Sequence, residues 1–388
     1  MSLELFRLQM KLIPNKQKKM KIVKKMIIWI VGIVIVLTIS VWAFMQQAVF
    51  GKDPEGQRLE RIKKVATYKD GVFQNLSVTS VMSEKGSYWQ MLKEYFSKPN
   101  DVVPQKEIPS IQTDLKVLNA EKPTIVWFGH SSYLIKSRAI TILIDPVFSG
   151  SASPIGAFVQ AFKGANTYQV EDMPEIDMLF LSHDHYDHLD YETILKIAPK
   201  VKKFYVSLGV GAHLEHWGIS TDKIMEFAWW ENAKITDDIE VIATPARHFS
   251  GRGFTRGKSL WSSFVLKIHG YKLFMGGDSG YDTHFKEIGE KYGPFDIAML
   301  ENGQYNLLWH QIHTLPEETY LAAKDLKTKV LMPVHWAKFP LANHSWNEPI
   351  KRLKTVAAAD KDLKLTTPMI GEPVVIDSLY PNKIWWEF

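Results

Sequence analysis

Between positions 183 and 188 the chain reads His183-Asp184-His185-Tyr186-Asp187-His188, three imidazoles and two carboxylates in six residues. Neutral imidazole nitrogen and carboxylate oxygen are the donors that Zn²⁺ takes, with Fe and Mn as alternatives. On a loop leaving a strand, alternate residues face one point, so His183 and His185 turn towards one position and Asp187-His188 towards a second. A single His-x-His pair reads equally well as a polar turn capping a helix. Two further ligand types at matching spacing favour a metal. The chain has no cysteine, which excludes thiolate ligands, disulfides and a Cys nucleophile, so any metal site must use His and carboxylates.

Further ligands for such a centre belong at the ends of other strands. His248 follows the apolar run VIATPA, Asp278 follows LFMGG, and His335 follows VLMPV. A lone strand-end histidine is usually structural. Here three apolar runs each deliver one metal-competent side chain downstream of a metal-competent cluster. The elements that must hold them begin near Thr124. Strands are expected over 124–136 and 140–147, with 136–139 as the turn, and over 176–182, 203–207, 224–228 and 239–244. A helix is expected over 190–197. An internal echo favours one architecture. Ser131-Ser132-Tyr133-Leu134-Ile135-Lys136 leads to Ile144-Asp145, and Ser262-Ser263-Phe264-Val265-Leu266-Lys267 leads to Gly277-Asp278. Two similar β-rich halves imply an α/β fold with two sheets packed face to face and helices outside, a four-layer αββα sandwich.

Ahead of that body stands a different kind of segment. Residues 26–44 run MIIWIVGIVIVLTISVWAF without a charge, about the length that crosses ~30 Å of hydrocarbon as a helix. A cleaved signal peptide is the main rival, but the run exceeds the usual signal core and no clear A-x-A site follows it. Residues 1–25 carry eight basic side chains against Glu4. The positive-inside rule therefore expects a cell-membrane protein with residues 1–25 as a cytoplasmic tail, 26–44 as a single transmembrane anchor and the body outside. Met20 is an alternative start that keeps the anchor. Residues 45–122 read as a lead-in with Pro104 and Pro109, and 123–388 as the main domain that holds the candidate metal cluster. The formal charge of +5 belongs to the tail, since the rest of the chain carries 39 basic and 41 acidic residues. Such a body offers no basic face for nucleic acid.

The stretches WFGHSSYLI, ILIDPVFSGSASP, LSHDHYDHLDY, Trp229-Trp230-Glu231, TPARH, GGDSGY, GPFDIA and HWAKFPLANH together resemble the metallo-β-lactamase superfamily. Its mark is HxHxDH followed by separate His, Asp and His ligands. DPVFSGSASP and HWAKFPLAN are similar to the branch of N-acylphosphatidylethanolamine-hydrolysing phospholipase D. The resemblance spans roughly residues 123–350.

That resemblance implies two zinc ions, one held by His183, His185 and His248 and the other by Asp187, His188 and His335, with Asp278 bridging. It also implies that His313 lies near a scissile phosphate, where it positions the phosphate or protonates a leaving alkoxide. Asp187, Asp278 and His313 are then the residues carrying catalysis. Two cations lower the pKa of a shared water and offset the charge of a phosphodiester. Asp184 is expected to orient a ligand rather than bind. Anchor and site together imply a phospholipid substrate at a membrane. The apolar insertion 150–168, with Phe158, Phe162 and Tyr168, reads either as a surface loop packed on the body or as a membrane-facing lip for acyl chains. Two other functions stay open: a lactonase like the ascorbate-phosphate lactonases, and a non-catalytic metal- or lipid-binding module.

Overall fold

A computed structural model describes residues 2–83 and 86–388 and divides them into two compact units, Met1–Phe50 and Gly51–Phe388. The first is the helix α1 (Ser2–Met45) with a short 3-10 turn after it. Its stretch Lys18–Met45 is long and apolar enough to cross a membrane, and none of it is buried. It is a candidate membrane span.

The second unit opens with α2 (Gly56–Ile62), the small hairpin β1 (Tyr68–Lys69) and β2 (Val72–Phe73), and α3 (Tyr88–Phe96). Then come β3 (Thr124–Trp127), β4 (Tyr133–Ser137), β5 (Ile140–Ile144), β6 (Ile176–Leu181), α4 (Tyr191–Ile197), β7 (Val201–Ser207), α5 (Gly211–His216) and β8 (Ile224–Phe227). The second half holds β9 (Asn232–Thr236), β10 (Ile239–Thr244), β11 (Ser263–Ile268), β12 (Tyr271–Met275), α6 (His284–Lys291), β13 (Ile297–Glu301), α7 (Pro316–Asp325), β14 (Val330–Val334), α8 (Glu348–Ala357) and β15 (Lys364–Leu365). A last strand, β16 (Pro373–Val375), returns to the first sheet beside β3.

Two seven-stranded sheets result, ordered β16-β3-β4-β5-β6-β7-β8 and β15-β14-β13-β12-β11-β10-β9. Each is antiparallel through its hairpin and parallel beyond it: β4/β5 then β5/β6/β7/β8, and β11/β12 then β12/β13/β14/β15. The two echoing segments are these hairpins, β4–β5 and β11–β12. The parallel strands β6, β13 and β14 are apolar runs because both faces are covered. The sheets face each other through rings such as Phe180 and Phe264, 5.2 Å apart. The expected αββα sandwich is the observed one.

The lead-in packs into the same unit. Ile62 and Phe73 are buried with Leu208, Leu260 and Trp261, and Ile108 N donates to Lys163 O. The insertion at 150–168 is a packed loop: Phe162 and Tyr168 are buried, and only Phe158 among its aromatic residues is exposed. Its reading as a lip gives way to the packed one.

Beneath the site, Lys338 is fully buried, and its ammonium donates to Phe128 O and Val147 O at 3.2 and 2.8 Å. Burial pushes its pKa down to about 7, against partial support from Asp190. Between pH 7 and 10.5 the unfolded chain thus binds the extra proton, so stability rises with pH across that window. In urea titrations the gain is expected to be on the order of 4 kcal/mol larger for the native chain than for Lys338→Met. Equal pH slopes for the two proteins rule out the lowered pKa of Lys338.

Candidate metal centre

All seven residues expected as ligands meet at one edge of the two sheets. The cluster 183–188 leaves the end of β6, His248 follows β10, Asp278 follows β12 and His335 follows β14. Gly277 permits the approach of Asp278. It has φ +60, and a Cβ there would lie 2.9 Å from Ser182 Cβ. His335 sits at φ +67, a conformation costing about 1–2 kcal/mol for a side chain with a Cβ.

Ring nitrogens of His183, His185 and His248 converge. His185 Nδ1 is 2.9 Å from His183 Nε2 and 3.2 Å from His248 Nε2. Asp187, His188 and His335 offer ligand atoms within 4.8 Å of one another, together with His130. Asp278 stands between the groups: its Oδ2 is 3.1 Å from His188 Nε2 and 3.8 Å from both His183 Nε2 and His248 Nε2, and its Oδ1 is 3.1 Å from His335 Nδ1. His313 lines the same cleft, its ring 5.0 Å from that of His248. Asp184 points away from the cluster, to Ser259 Oγ, Gly251 N and His213 Nε2.

The electrostatics suit a cation. Burial pushes the imidazoles of His183, His248 and His335 well below their ordinary range and that of His185 to about 4, so each keeps a lone pair. His188 is the exception. Burial lowers it, but Asp278, Asp187 and Asp145 outweigh that and hold it well above the ordinary range. Burial also pushes Asp278 up to about 6. Buried carboxylates without a lysine or arginine partner are costly unless a cation joins them, and the ion pairs of Asp187 and Asp278 among the described residues are all to histidines. His185 Nε2, His188 Nε2, His335 Nε2 and Asp278 Oδ1 are buried with no hydrogen-bond partner. Orphaned donor atoms of this kind are what a metal-binding cluster presents. The His/Asp cluster fits a divalent metal.

Four supporting residues were not singled out from sequence for these roles. His130, in the β3–β4 turn at φ +52, is fully buried with Nε2 2.8 Å from Asp187 Oδ2. Asp145, at φ +40, accepts from Ser182 N, Ser182 Oγ and His188 Nδ1 at 2.8, 2.6 and 2.8 Å. Glu301 lies 2.6 Å from His313 Nδ1 and accepts from Ser279 N. Asn75 brackets the peptide of His248. His130 had a signal: like the ligands, it is a histidine just past a strand end. Losing a group that orients a ligand typically costs tenfold to a hundredfold in metal affinity. His130→Ala should show a drop of about that size in calorimetric titration with Zn²⁺, and unchanged affinity refutes the role.

The cluster floors a cleft of about 330 Å³, whose walls include Val81, Met82, Met91, Leu308, Trp309 and Ile312. A second cleft of about 420 Å³ lies beside Tyr305, Glu348 and Arg352 and contains none of the cluster.

Comparison with known proteins agrees with this geometry. A β-lactamase superfamily domain matches residues 141–336. An uncharacterized protein of Mycobacterium tuberculosis is 35% identical over 326 residues, covering 82% of this chain and 87% of its own. The N-acyl-phosphatidylethanolamine-hydrolyzing phospholipase D 1 of Caenorhabditis elegans is 31% identical over 260 residues, 62% of this chain and 71% of that one. The fold is also that of Igni18, a metallo hydrolase from Ignicoccus hospitalis, with a TM-score of 0.50 at 22% identity over 65% of this chain and 97% of the other. Two mixed sheets with a His/Asp cluster at their shared edge, and relatives of this kind, assign the chain to the metallo-β-lactamase superfamily of metal-dependent hydrolases, near its N-acylphosphatidylethanolamine-hydrolysing phospholipase D branch.

Proposed function

We propose that the chain is a membrane-anchored phosphodiesterase of phospholipase D type with two zinc ions, acting on N-acylphosphatidylethanolamine-like phospholipids. The observation that carries this reading is the joining of the His/Asp cluster to an apolar-walled cleft. His183, His185 and His248 would hold one ion, Asp187, His188 and His335 the other, with Asp278 between them. When bound, such ions supply an acidified water nucleophile and offset phosphodiester charge.

The chain's own residues do the rest. The apolar wall around Met91, Leu308 and Ile312 receives hydrocarbon and excludes water. Glu301 holds His313 by Nδ1, which leaves Nε2 for a phosphoryl oxygen or the leaving alkoxide. Exposed apolar side chains on elements that line the cleft, not the 150–168 insertion, supply a membrane-facing lip. Trp89, Leu92 and Phe96 stand on α3 with Met91, and Leu307 precedes Leu308. Trp settles at the bilayer interface, and exposed Leu and Phe beside it bury at the headgroup–acyl boundary.

The test is incubation of the full chain, in detergent and loaded with Zn²⁺, with a panel of phospholipids, the products being identified by mass spectrometry. Phosphatidic acid release is expected. Opening of lactones alone overturns the phosphodiester reading in favour of the lactonase, and no turnover at all favours a binding module. The cysteine-free chain lets single introduced cysteines report topology. A cysteine in the 1–25 tail is expected to be shielded from an impermeant thiol reagent in intact cells, and one on the body to be labelled.

A further inference from the structure

We infer that the stretch 51–83, between the apolar helix and the sandwich, is a positioning strap for the metal centre, with Asn75 as its principal residue and His213 as its anchor on the body. The inference rests on the reading of the His/Asp cluster as a metal centre and is independent of the substrate.

Asn75 treats the peptide of His248 as a neighbouring strand would. Its Oδ1 accepts from His248 N at 3.0 Å, and its Nδ2 donates to His248 O at 2.8 Å. Trp261 Nε1, donating to the same Oδ1 at 3.0 Å, fixes the amide's orientation. One residue earlier, Arg247 donates to Thr79 Oγ1 at 2.9 Å and Val78 O at 3.2 Å. The loop that delivers His248 is therefore held by the lead-in as well as by its own sheet.

A second contact reaches the cluster from residue 52. Lys52 N donates to His213 Nδ1 at 3.0 Å, so His213 carries its hydrogen on Nε2 and donates it to Asp184 Oδ2 at 3.2 Å. Asp184 is the residue between His183 and His185. Gly51, at φ +70, lies so close that a Cβ would run into the His213 ring. The strap is pinned between these contacts. Arg58 pairs with Glu215 at 2.7 Å and Glu226 at 2.8 Å, and Ile62 and Phe73 bury beside Leu208 and Trp261. The amide of Asn75 is taken up by His248 and Trp261, and His213 belongs to none of the candidate ligand groups among the described residues. They act through His248 and Asp184.

The experiment compares full-length, Zn²⁺-loaded wild type with Asn75→Ala, Asn75→Asp, His213→Ala and, as a control, Leu353→Ala in the buried face of α8. Ion release is timed with the chromophoric chelator 4-(2-pyridylazo)resorcinol, beside thermal unfolding of each protein. Release should quicken about tenfold to a hundredfold in Asn75→Ala and His213→Ala. Asn75→Asp keeps the acceptor for His248 N but turns a carboxylate oxygen on His248 O, so it should release the ion at least as fast as Asn75→Ala. Leu353→Ala should unfold at a lower temperature with wild-type release. Wild-type release from Asn75→Ala, or release that simply follows thermal stability across all variants, overturns the strap. A wild type that retains no Zn²⁺ overturns the metal centre and the strap with it.

Discussion

Asp278→Ala is expected to fold, to retain at most one tightly held ion, and to lose hydrolysis by about 10³-fold or more, some 4 kcal/mol of transition-state stabilisation. The reason lies in its position. One carboxylate oxygen lies 3.1–3.8 Å from nitrogens of His183, His188 and His248, and the other is 3.1 Å from His335. No other acid among the described residues reaches nitrogens of both histidine groups in this way. The fold should survive because the carboxylate is itself a burden to the empty protein. Burial pushes it up to about 6, so removing it relieves a desolvated charge. Metal analysis of the purified variant, with kcat and thermal unfolding, decides the matter. Two ions retained at wild-type activity would refute the bridging role.

The sandwich and the gathering of the His/Asp cluster were legible because their signals are local. A buried parallel strand reads as an unbroken apolar run, and a side chain just past its end is carried to the sheet edge with little help from the rest of the chain, as His248, Asp278 and His335 are. The echo was legible for the same reason, since each hairpin and its terminal acid lie within about twenty residues. The supporting shell was not. Asp145 meets His188 across 43 positions, His130 meets Asp187 across 57 and Asn75 meets His248 across 173. Nothing in the spacing of a single Asn or Asp announces such a pairing. Side-chain hydrogen bonds between distant segments follow from the packed fold, not from periodicity. The 150–168 insertion shows the same limit for apolar residues. Composition marks Phe162 and Tyr168 as hydrophobic, but only packing decides whether hydrophobic means buried or membrane-facing. Here they bury, while Trp89 and Phe96 of the lead-in are exposed.

Asp145 illustrates how much that hidden shell carries, and Asn is the substitution that isolates it. Asp145 Oδ1 accepts from Ser182 N, while Oδ2 accepts from Ser182 Oγ and from His188 Nδ1. With the Nδ1 hydrogen fixed by Asp145, a bound ion would displace the proton from Nε2 of His188 and take that lone pair, and this nitrogen is among the orphaned atoms. Asn fits the site's volume and tolerates its φ of +40. Its oxygen can stay on Ser182 N, but an NH₂ group then faces His188 Nδ1, which must become the acceptor. The hydrogen moves to Nε2, and the ligand lone pair is lost. Asp145→Asn is therefore expected to weaken one of the two proposed Zn²⁺ sites by about a hundredfold, the upper part of the range for groups that orient metal ligands. Thermal stability of the metal-free protein should change little. Asp145→Ala should differ in kind, because it leaves Ser182 N buried without its acceptor and His188 Nδ1 with only Ser182 Oγ at 3.3 Å, and it should cost about 3 kcal/mol in urea unfolding. Calorimetric titration separates the two. An Asn variant that binds two equivalents of Zn²⁺ as tightly as wild type refutes the tautomer argument, whereas equal destabilisation by Asn and Ala reduces Asp145 to a structural hydrogen-bond acceptor.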